Sequence, residues 1–309
     1  MTTAPPAIET RGLSKRFGSR AAVCDVSLTV PAGCAFGFLG HNGAGKTTVI
    51  RMLVGLTQPS AGTVMIAGQS MARHRENVLS RVGAIVEEPR FHLHLTGREN
   101  LQVVAAVRGP QAGPRIEPAL ERVGLSDRGD DRVRTYSQGM RQRLGIARCL
   151  LADPKLVILD EPMNGLDPGG ILELRGLIAG LVAEERTVFV SSHLLDEIEK
   201  TCDAAAVIDQ GRLIAQGPIS ELIGDTRTRY ELSVDQPQAA QDILAAHPAV
   251  VEAVLTQDGL RVTLADPQAA GAVATLLIKA GITVSSFAPV RMSLEERFLG
   301  LTSRVGGDS

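Results

Sequence analysis

The residues best suited to chemistry in this chain lie close together, in a glycine-rich segment from Gly40 to Thr48 that reads GHNGAGKTT. The segment fits the pattern G-x-x-x-x-G-K-[ST], in which backbone N–H groups surround phosphates and the lysine reaches the terminal ones. Glycines let the amides turn inward as an anion-binding nest, and a helix that follows adds the positive end of its dipole. The segment therefore predicts nucleotide binding, although it does not indicate which reaction follows.

Each residue of this segment is a candidate nucleotide contact. The candidates are Gly40, His41, Asn42, Gly43, Ala44, Gly45, Lys46, Thr47 and Thr48. We expect the Lys46 ammonium to contact the β- and γ-phosphates and the Thr47 hydroxyl to hold Mg²⁺. Residues 35–39 are apolar and predict a buried strand, and residues 46–53 have the apolar spacing of a helix. The segment thus occupies the strand-to-helix turn that its mechanics require.

Two acidic residues, Asp160 and Glu161, follow a second apolar strand over residues 156–159. An apolar strand that ends in a carboxylate is the arrangement by which phosphate-loop enzymes hold Mg²⁺. We expect Asp160 to bind that metal, and Glu161 to act as the general base or to orient the attacking water. Two acidic residues at the end of a strand are common in isolation, but the glycine-rich segment favours the catalytic interpretation.

The composition places these residues in a globular protein of ordinary type. The chain has 309 residues, of which 44% are hydrophobic and 21% charged, and this length is enough for two domains of roughly 150 residues. The net charge of −2 and the dispersed basic residues argue against nucleic acid as the main partner. We predict no signal peptide and no membrane span, so a membrane role would come through a partner. The four cysteines are far apart, which predicts buried thiols in a reducing compartment.

Alternating strands and helices over most of residues 8–224 predict an α/β domain with a mostly parallel sheet. We expect an edge strand over residues 7–10, a turn after residues 13–18, and a hairpin through Gln210-Gly211. Residues 96–152 are predicted to be mostly helical and begin with a capping signal from Thr96 to Glu99. This insert would form a helical subdomain at about residues 88–155.

Residues 225–309 form a second, accessory domain in this interpretation. Their strand and helix patterns follow the order βαββαβ, which is the order of a small α+β ferredoxin-like unit. Asp258-Gly259 predicts a hairpin turn, and residues 293–300 predict a last helix. No catalytic cluster occurs here, and both a regulatory or dimer-bracing role and a passive role agree with the sequence.

The segment Tyr136-Ser-Gln-Gly-Met, upstream of the acidic strand, resembles the signature of the ABC ATPase family. The resemblance covers roughly residues 8–224 and implies a P-loop NTPase fold that hydrolyses ATP with Mg²⁺. In that family the signature Ser and Gly lie at a helix N-terminus and contact the γ-phosphate of ATP bound to the opposite subunit. Ser137 and Gly139 match these positions, and Gln138 lies between them.

The resemblance also assigns roles to single residues. Phe17 falls where the family places an aromatic ring that stacks on adenine, although a lone Phe more often packs in a core. Asp167 matches the carboxylate of a loop that crosses the dimer interface. His193 matches a histidine that contacts the γ-phosphate. Glu87 occupies the place of a glutamine that contacts Mg²⁺ and the attacking water.

Two departures from the family pattern are informative. The usual Leu-Ser-Gly-Gly-Gln is altered at three positions around Ser137 and Gly139. Glu87 adds a negative charge near the triphosphate, which should weaken ATP binding unless Mg²⁺ or a basic neighbour offsets it. This glutamate resembles the variant in ATPases of bacitracin- and lantibiotic-type immunity exporters, and residues 293–302 resemble the end of daunorubicin-type drug-exporter ATPases.

The resemblance implies an ATPase subunit at the cytoplasmic face of a bacterial membrane. Its partners would be an integral membrane permease and a second ATPase subunit, expected to be another copy of this chain, with no nucleic acid. One alternative is a soluble ABC ATPase in translation or DNA maintenance, but such proteins commonly carry two cassettes or a long coiled coil. Another is a nucleotide kinase or GTPase, which would not explain Ser137-Gln-Gly or His193.

A short apolar stretch follows Glu87 and contains Phe91, Leu93 and Leu95, separated by two histidines. In the ABC family this region receives the coupling helix of the membrane subunit. Part of the stretch is therefore a candidate docking groove for a permease. The alternative is that its apolar side chains pack within the helical subdomain.

Overall fold

The computed structural model describes residues 5–223, 229–256 and 259–290. These residues form two compact units, which divide between Ile219 and Ser220. The larger unit contains every candidate site residue, and each unit has its own buried apolar core.

The first unit combines strands with seven helices along the described chain. Its strands are β1 (Ile8–Phe17), β2 (Arg20–Val26), β3 (Thr29–Val30), β4 (Ala35–Leu39), β5 (Ala61–Ile66), β6 (Gln69–Ser70), β7 (Val82–Ile85), β8 (Leu156–Asp160), β9 (Thr187–Ser192), β10 (Ala204–Asp209) and β11 (Arg212–Pro218). Its helices are α1 (Lys46–Leu53), α2 (Arg75–Leu79), α3 (Gly97–Arg108), α4 (Ile116–Arg122), α5 (Gln138–Leu150), α6 (Pro168–Ala183) and α7 (Leu195–Thr201). Helix α8 (Ile219–Ile223) lies at the division between the units.

The central sheet has the strand order β11-β10-β4-β9-β8-β7. All neighbouring pairs are parallel except β10 and β11, which form the predicted hairpin. Strands β4, β8 and β9 are buried along their whole length, as expected for parallel strands covered on both faces. Because parallel strands end at the same edge, the glycine-rich turn after β4 and the acidic pair at the end of β8 meet there.

The first strands form a sheet of their own, which the sequence did not predict. Strands β1, β2, β3, β5 and β6 form a second, antiparallel sheet. The prediction of an edge strand over residues 7–10 was wrong, because β1 pairs with β3 on one side and β5 on the other at Ile8. Residues 13–17 belong to β1, Leu13 is buried, and the predicted turn follows at Gly18 and Ser19 before β2. The second sheet arises from pairing between distant segments, since Ile8 lies opposite Ile66 in β5. A local sequence pattern does not show which distant strand will pair with a given strand.

The core of the first unit includes three aromatic rings in contact, one pair stacked and one pair tilted. The Phe189 ring centroid lies 6.0 Å from that of Phe36 and 5.4 Å from that of Phe38. The helical insert between β7 and β8 begins with the predicted capping box at α3. There the Glu99 N–H donates to Thr96 Oγ1 at 3.1 Å, and the Thr96 N–H donates to Glu99 Oε2 at 2.7 Å.

Gly62 in β5 occupies a position that no other residue should tolerate well. Its φ of +85° is in the left-handed region, and a Cβ there would lie 2.4 Å from the carbonyl oxygen of Gly12. We expect Gly62→Ala to lower the free energy of unfolding by about 2–4 kcal/mol, from backbone strain and overpacking together. Gly33→Ala is the matched control, because Gly33 has a φ of +73° but open space around it. Urea unfolding of both variants checks the prediction, and equal losses would contradict the overpacking argument.

The second unit is a small α+β fold. Its elements are β12 (Arg229–Val234), α9 (Pro237–Ala245), β13 (Val250–Thr256), β14 (Gly259–Leu264), α10 (Ala270–Lys279) and β15 (Val284–Pro289). The strand order is β13-β14-β12-β15 with every neighbouring pair antiparallel, and the element order is βαββαβ. Asp258 of the predicted hairpin turn and the predicted helix over residues 293–300 lie outside the described residues.

The four cysteines are free thiols. Burial raises the pKa of Cys149 and of half-buried Cys34 to about 11, so both thiols are protonated at neutral pH. Burial also raises the pKa of Cys202. Across the residues that the structure describes, no helix combines the length and the apolar character that a membrane crossing requires.

Candidate nucleotide site

The turn between β4 and α1 is shaped by glycines. Gly43 and Gly45 have φ values of +85° and +109°, in the region that favours glycine. Gly40 has no space for a side chain, because a Cβ would lie 2.4 Å from the carbonyl oxygen of Ile208 in β10. Helix α1 begins at Lys46, so the N–H groups of its first turn have no carbonyl partner within the helix. The predicted strand–turn–helix context of the glycine-rich segment is therefore present.

A cleft of about 380 Å³ opens along this turn. Its walls are Phe17, Arg20, Ala22, His41, Asn42, Gly43, Gly45, Lys46, Thr47, Thr48 and Glu161. The two remaining residues of the segment, Gly40 and Ala44, are buried and do not line it. The Phe17 side chain is exposed, with the Lys15 ammonium 5.1 Å from its ring centroid. An exposed ring beside an anion-binding turn can accept a flat base by stacking.

Lys46 is buried at the bottom of this cleft, with only 6% of its surface exposed. Its ammonium donates to the carbonyl oxygens of Gly40 at 2.5 Å and His41 at 3.2 Å. It also lies 3.0 Å from Oε1 of Glu161. The lysine therefore has an oppositely charged partner, as a buried ammonium requires.

The acidic pair is held from the neighbouring strand by Ser191 of β9. Its hydroxyl donates to Oδ1 of Asp160 at 2.6 Å and accepts from the backbone N–H of Glu161 at 2.9 Å. Glu161 has a φ of +48°, an uncommon conformation for a non-glycine residue. The second oxygen of its carboxylate, Oε2, lies 2.9 Å from Nδ1 of His193. Glu161 thus lies between Lys46 and His193, two residues that the sequence had assigned to the same site.

Ser191 was not among the predicted site residues. The available signal was a pair of serines at the end of the otherwise apolar strand β9, both of them buried in the structure. A buried hydroxyl must find a hydrogen-bond partner. That requirement points to a neighbouring polar group but does not identify Asp160.

A second cavity of about 650 Å³ borders the first at Thr47 and Glu161. Its lining is Thr47, Glu87, Glu88, Pro89, Arg90, Phe91, Leu93, Gln138, Arg141, Gln142, Asp160, Glu161 and Asn164. The three residues predicted to hold Mg²⁺, namely Thr47, Asp160 and Glu87, therefore face one space. Glu87 has a φ of +63°, and its carboxylate forms an ion pair with Arg51 of α1.

Ser137 of the signature segment and Asp167 each cap a helix. Ser137 precedes α5 and its hydroxyl accepts from the Met140 N–H at 3.2 Å, while Asp167 precedes α6 and accepts from the Gly170 N–H at 3.0 Å. Helix α6 begins at Pro168, directly after Asp167. Neither capping residue lines the two cavities described above, and the same is true of Gly139 and His193.

Two of the residues that replace the usual signature have clear contacts. Tyr136 is buried, and its hydroxyl donates to the carbonyl oxygen of Arg128 at 2.6 Å. Burial raises the pKa of the Tyr136 phenol, which keeps it a neutral donor. Gln138 donates from Nε2 to the carbonyl oxygen of Asn164 at 3.0 Å. That bond links the signature segment to the loop that carries Asp167 in the same chain.

In the apolar stretch after Glu87, Phe91 and Leu95 are half-buried and Leu93 is exposed. The guanidinium carbon of Arg148 lies 5.2 Å from the Phe91 ring centroid, and Leu95 is half-buried. Leu93 is exposed, and together with Phe91 it lines the second cavity. Leu93 is therefore the residue of this stretch best placed to contact another protein.

Comparison with known proteins identifies relatives over nearly the whole chain. The family described as ABC transporter matches residues 23–164. The bacitracin transport ATP-binding protein BcrA of Bacillus licheniformis is 40% identical over 301 residues, which is 97% of each chain. The daunorubicin/doxorubicin resistance ATP-binding protein DrrA of Streptomyces peucetius is 36% identical over 317 residues, covering 100% of this chain and 96% of DrrA. A solved ATP-binding subunit of an ABC transporter is 30% identical with a TM-score of 0.63, covering 70% of this chain and 91% of the other.

Proposed function

Because this chain belongs to the ABC transporter family of ATP-binding proteins, we propose that its ATPase activity powers export of a drug, antibiotic or lipid-like compound through a separate membrane permease. The observation that carries the proposal is the meeting of Lys46, Asp160 and Glu161 at one edge of the central sheet. The likeness to BcrA and DrrA over their full lengths supports the export direction and the substrate class.

The glycine-rich turn supplies the nucleotide contacts in this proposal. Its amides and the N-terminus of α1 bind the phosphates, and Lys46 exchanges its contact with Glu161 for the β- and γ-phosphate oxygens. The exposed Phe17 ring stacks on the adenine. Arg20, which lines the same cleft, adds a positive charge to its wall.

The residues around the second cavity fit Mg²⁺, which prefers oxygen ligands and keeps several waters. Thr47 and Asp160 present a hydroxyl and a carboxylate to one space, and one Asp160 oxygen is already held by Ser191. Glu87 is a third oxygen donor on that wall. When bound, the metal would neutralise negative charge on the phosphates.

Glu161 acts as general base in this proposal and accepts a proton from the attacking water. His193 lies 2.9 Å from its Oε2 and fixes the orientation of the carboxylate on the side away from Lys46. His193 is also the proposed contact of the γ-phosphate.

The site is completed by a second copy of this chain. Ser137 and Gly139 lie at the N-terminus of α5, where N–H groups and the helix dipole favour an anion. We propose that they contact the γ-phosphate bound by the partner subunit, with Gln138 beside them and Asp167 at the interface. Residues 225–309 would form an accessory domain.

The permease would dock around the exposed side chain of Leu93. Leu93→Asp should abolish association with the membrane subunit while ATP binding is retained, because the exposed side chain would contact the permease and not the nucleotide. Val107→Asp on α3 is the matched control, since Val107 is also exposed and lies on another part of the helical insert. The protein would then act at the cytoplasmic face of the membrane.

A pull-down from gently solubilised host membranes tests these proposals. We expect the full-length chain and its Val107→Asp variant to recover a protein with several membrane spans, and Leu93→Asp to lose it. Recovery of ribosomes or DNA-repair proteins instead would favour a soluble ABC ATPase. Loss of the membrane protein with Val107→Asp as well would contradict the proposed docking position.

A further inference from the structure

The second cavity places several carboxylates beside the proposed position of the triphosphate. Its charged lining residues are Glu87, Glu88, Asp160, Glu161, Arg90 and Arg141. Two of these carboxylates have partners inside the fold. The Ser191 hydroxyl donates to Asp160, and the buried Lys46 pairs with Glu161. Glu87, the third predicted Mg²⁺ ligand, has neither of these partners, and a negative charge near a polyphosphate disfavours its binding.

Arg51 supplies the positive charge opposite Glu87. Its guanidinium forms an ion pair with the Glu87 carboxylate. Arg51 lies four residues after Thr47 on α1, so the two side chains share one face of the helix that begins at the phosphate-binding turn. Glu87 follows β7 with a left-handed backbone, so its side chain leaves the end of that strand from an unusual conformation.

The backbone around Arg51 is also fixed. Its carbonyl oxygen accepts from the N–H groups of Leu56 at 2.8 Å and Thr57 at 3.1 Å, which closes the C-terminal end of α1. The guanidinium is therefore carried by an anchored helix end. An arginine so placed can hold a carboxylate in one orientation better than one on a loop.

The ion pair does not contribute much to folding. The side chains of Arg51 and Glu87 are 43% and 60% exposed, and exposed ion pairs are worth little in stability. We therefore expect the pair to affect nucleotide binding, because the Glu87 carboxylate lies beside the proposed nucleotide position.

We propose that Arg51 is a positioning residue that makes Glu87 compatible with a bound Mg·ATP. The ion pair offsets the charge of the carboxylate and holds it at the cavity wall, so that it faces the nucleotide without repelling it. The proposal rests on the proposed place of Glu87 beside the triphosphate.

A double-mutant cycle in the full-length protein tests the proposal, with Mg²⁺ and a non-hydrolysable ATP analogue as the probe. We expect Arg51→Gln to raise the Kd about 5–10-fold, because it removes the ion-pair partner of Glu87. Glu87→Gln combined with Arg51→Gln should bring the Kd back to within about twofold of Glu87→Gln alone. Arg51→Lys should keep most of the affinity, since it keeps the charge. In ATPase assays, Arg51→Gln should raise KM with kcat changed less than about twofold.

The matched control is a second partly exposed ion pair that lies away from the two nucleotide cavities. Arg122 and Glu184 are 2.7 Å apart, with side chains 33% and 44% exposed. Arg122→Gln should leave the Kd unchanged. This control shows whether the loss of any partly exposed ion pair is enough to affect binding.

The opposite results would overturn the proposal. An unchanged or tighter Kd for Arg51→Gln would mean that Glu87 needs no compensation. If Arg51→Gln lowered the affinity equally in the unaltered protein and in the Glu87→Gln variant, Arg51 would act independently of Glu87. If the unaltered protein failed to bind the Mg²⁺-bound analogue, the proposed function itself would fail, and that result is distinct from either outcome of the cycle.

Discussion

Replacing Glu161 by glutamine should leave a protein that binds ATP and dimerises but hydrolyses ATP at least about 10²-fold more slowly. An amide of the same size cannot accept a proton from water, so the loss falls on the chemical step. Dimers should accumulate in ATP, because nucleotide would be bound without being hydrolysed. Phosphate release and size-exclusion chromatography with ATP measure both effects.

The same variant should bind ATP more tightly than the unaltered protein. Lys46 lies 3.0 Å from Oε1 of Glu161, so the carboxylate competes with the phosphates for the ammonium. Glutamine removes that competing charge. Glu121→Gln, at an exposed position of α4 outside both cavities, is the control for a general effect of losing a carboxylate. Turnover of Glu161→Gln at the rate of the unaltered protein would refute its assignment as the base.

The second large effect concerns Lys46. We expect Lys46→Ala to weaken ATP binding by about 10²-fold or more, because a buried, preorganised ammonium is lost from the phosphates. Lys46→Arg should also bind poorly, since the larger guanidinium does not fit a space bounded by the carbonyl groups of Gly40 and His41. Titration with a fluorescent ATP analogue measures the affinity.

Lys200→Ala, on the exposed face of α7, controls for the loss of a positive charge. A thermal unfolding curve is also needed, because Lys46→Ala leaves Glu161 without its ammonium partner. Normal ATP affinity in a folded Lys46→Ala protein would show that the phosphates bind elsewhere.

The parts of the fold that depend on local sequence were predictable. The glycine-rich turn, the capping box at Thr96 and the hairpin through Gln210-Gly211 each require particular residue types at fixed spacing. Their structures follow from backbone geometry and from hydrogen bonds between near neighbours. The strand that ends in Asp160 is apolar along its length and could be recognised for the same reason.

The parts that depend on distant contacts were not predictable. The second sheet arises because β1 pairs with β5 and β2, and a single strand pattern does not name its partner. Ser191 beside Asp160 and Arg51 beside Glu87 are likewise contacts across the fold. The sequence raised the need for a basic neighbour of Glu87, and only the folded chain identifies it.

The hydroxyl of Ser191 has a consequence for motion within the site. It is bonded to the side chain of Asp160 and to the backbone of Glu161 at once, from the adjacent parallel strand. The Asp160 side chain and the Glu161 backbone should therefore move together when the ends of β8 and β9 shift. Movement of this sheet edge should change the distance between the Asp160 carboxylate and the Glu161 backbone less than it shifts the two together.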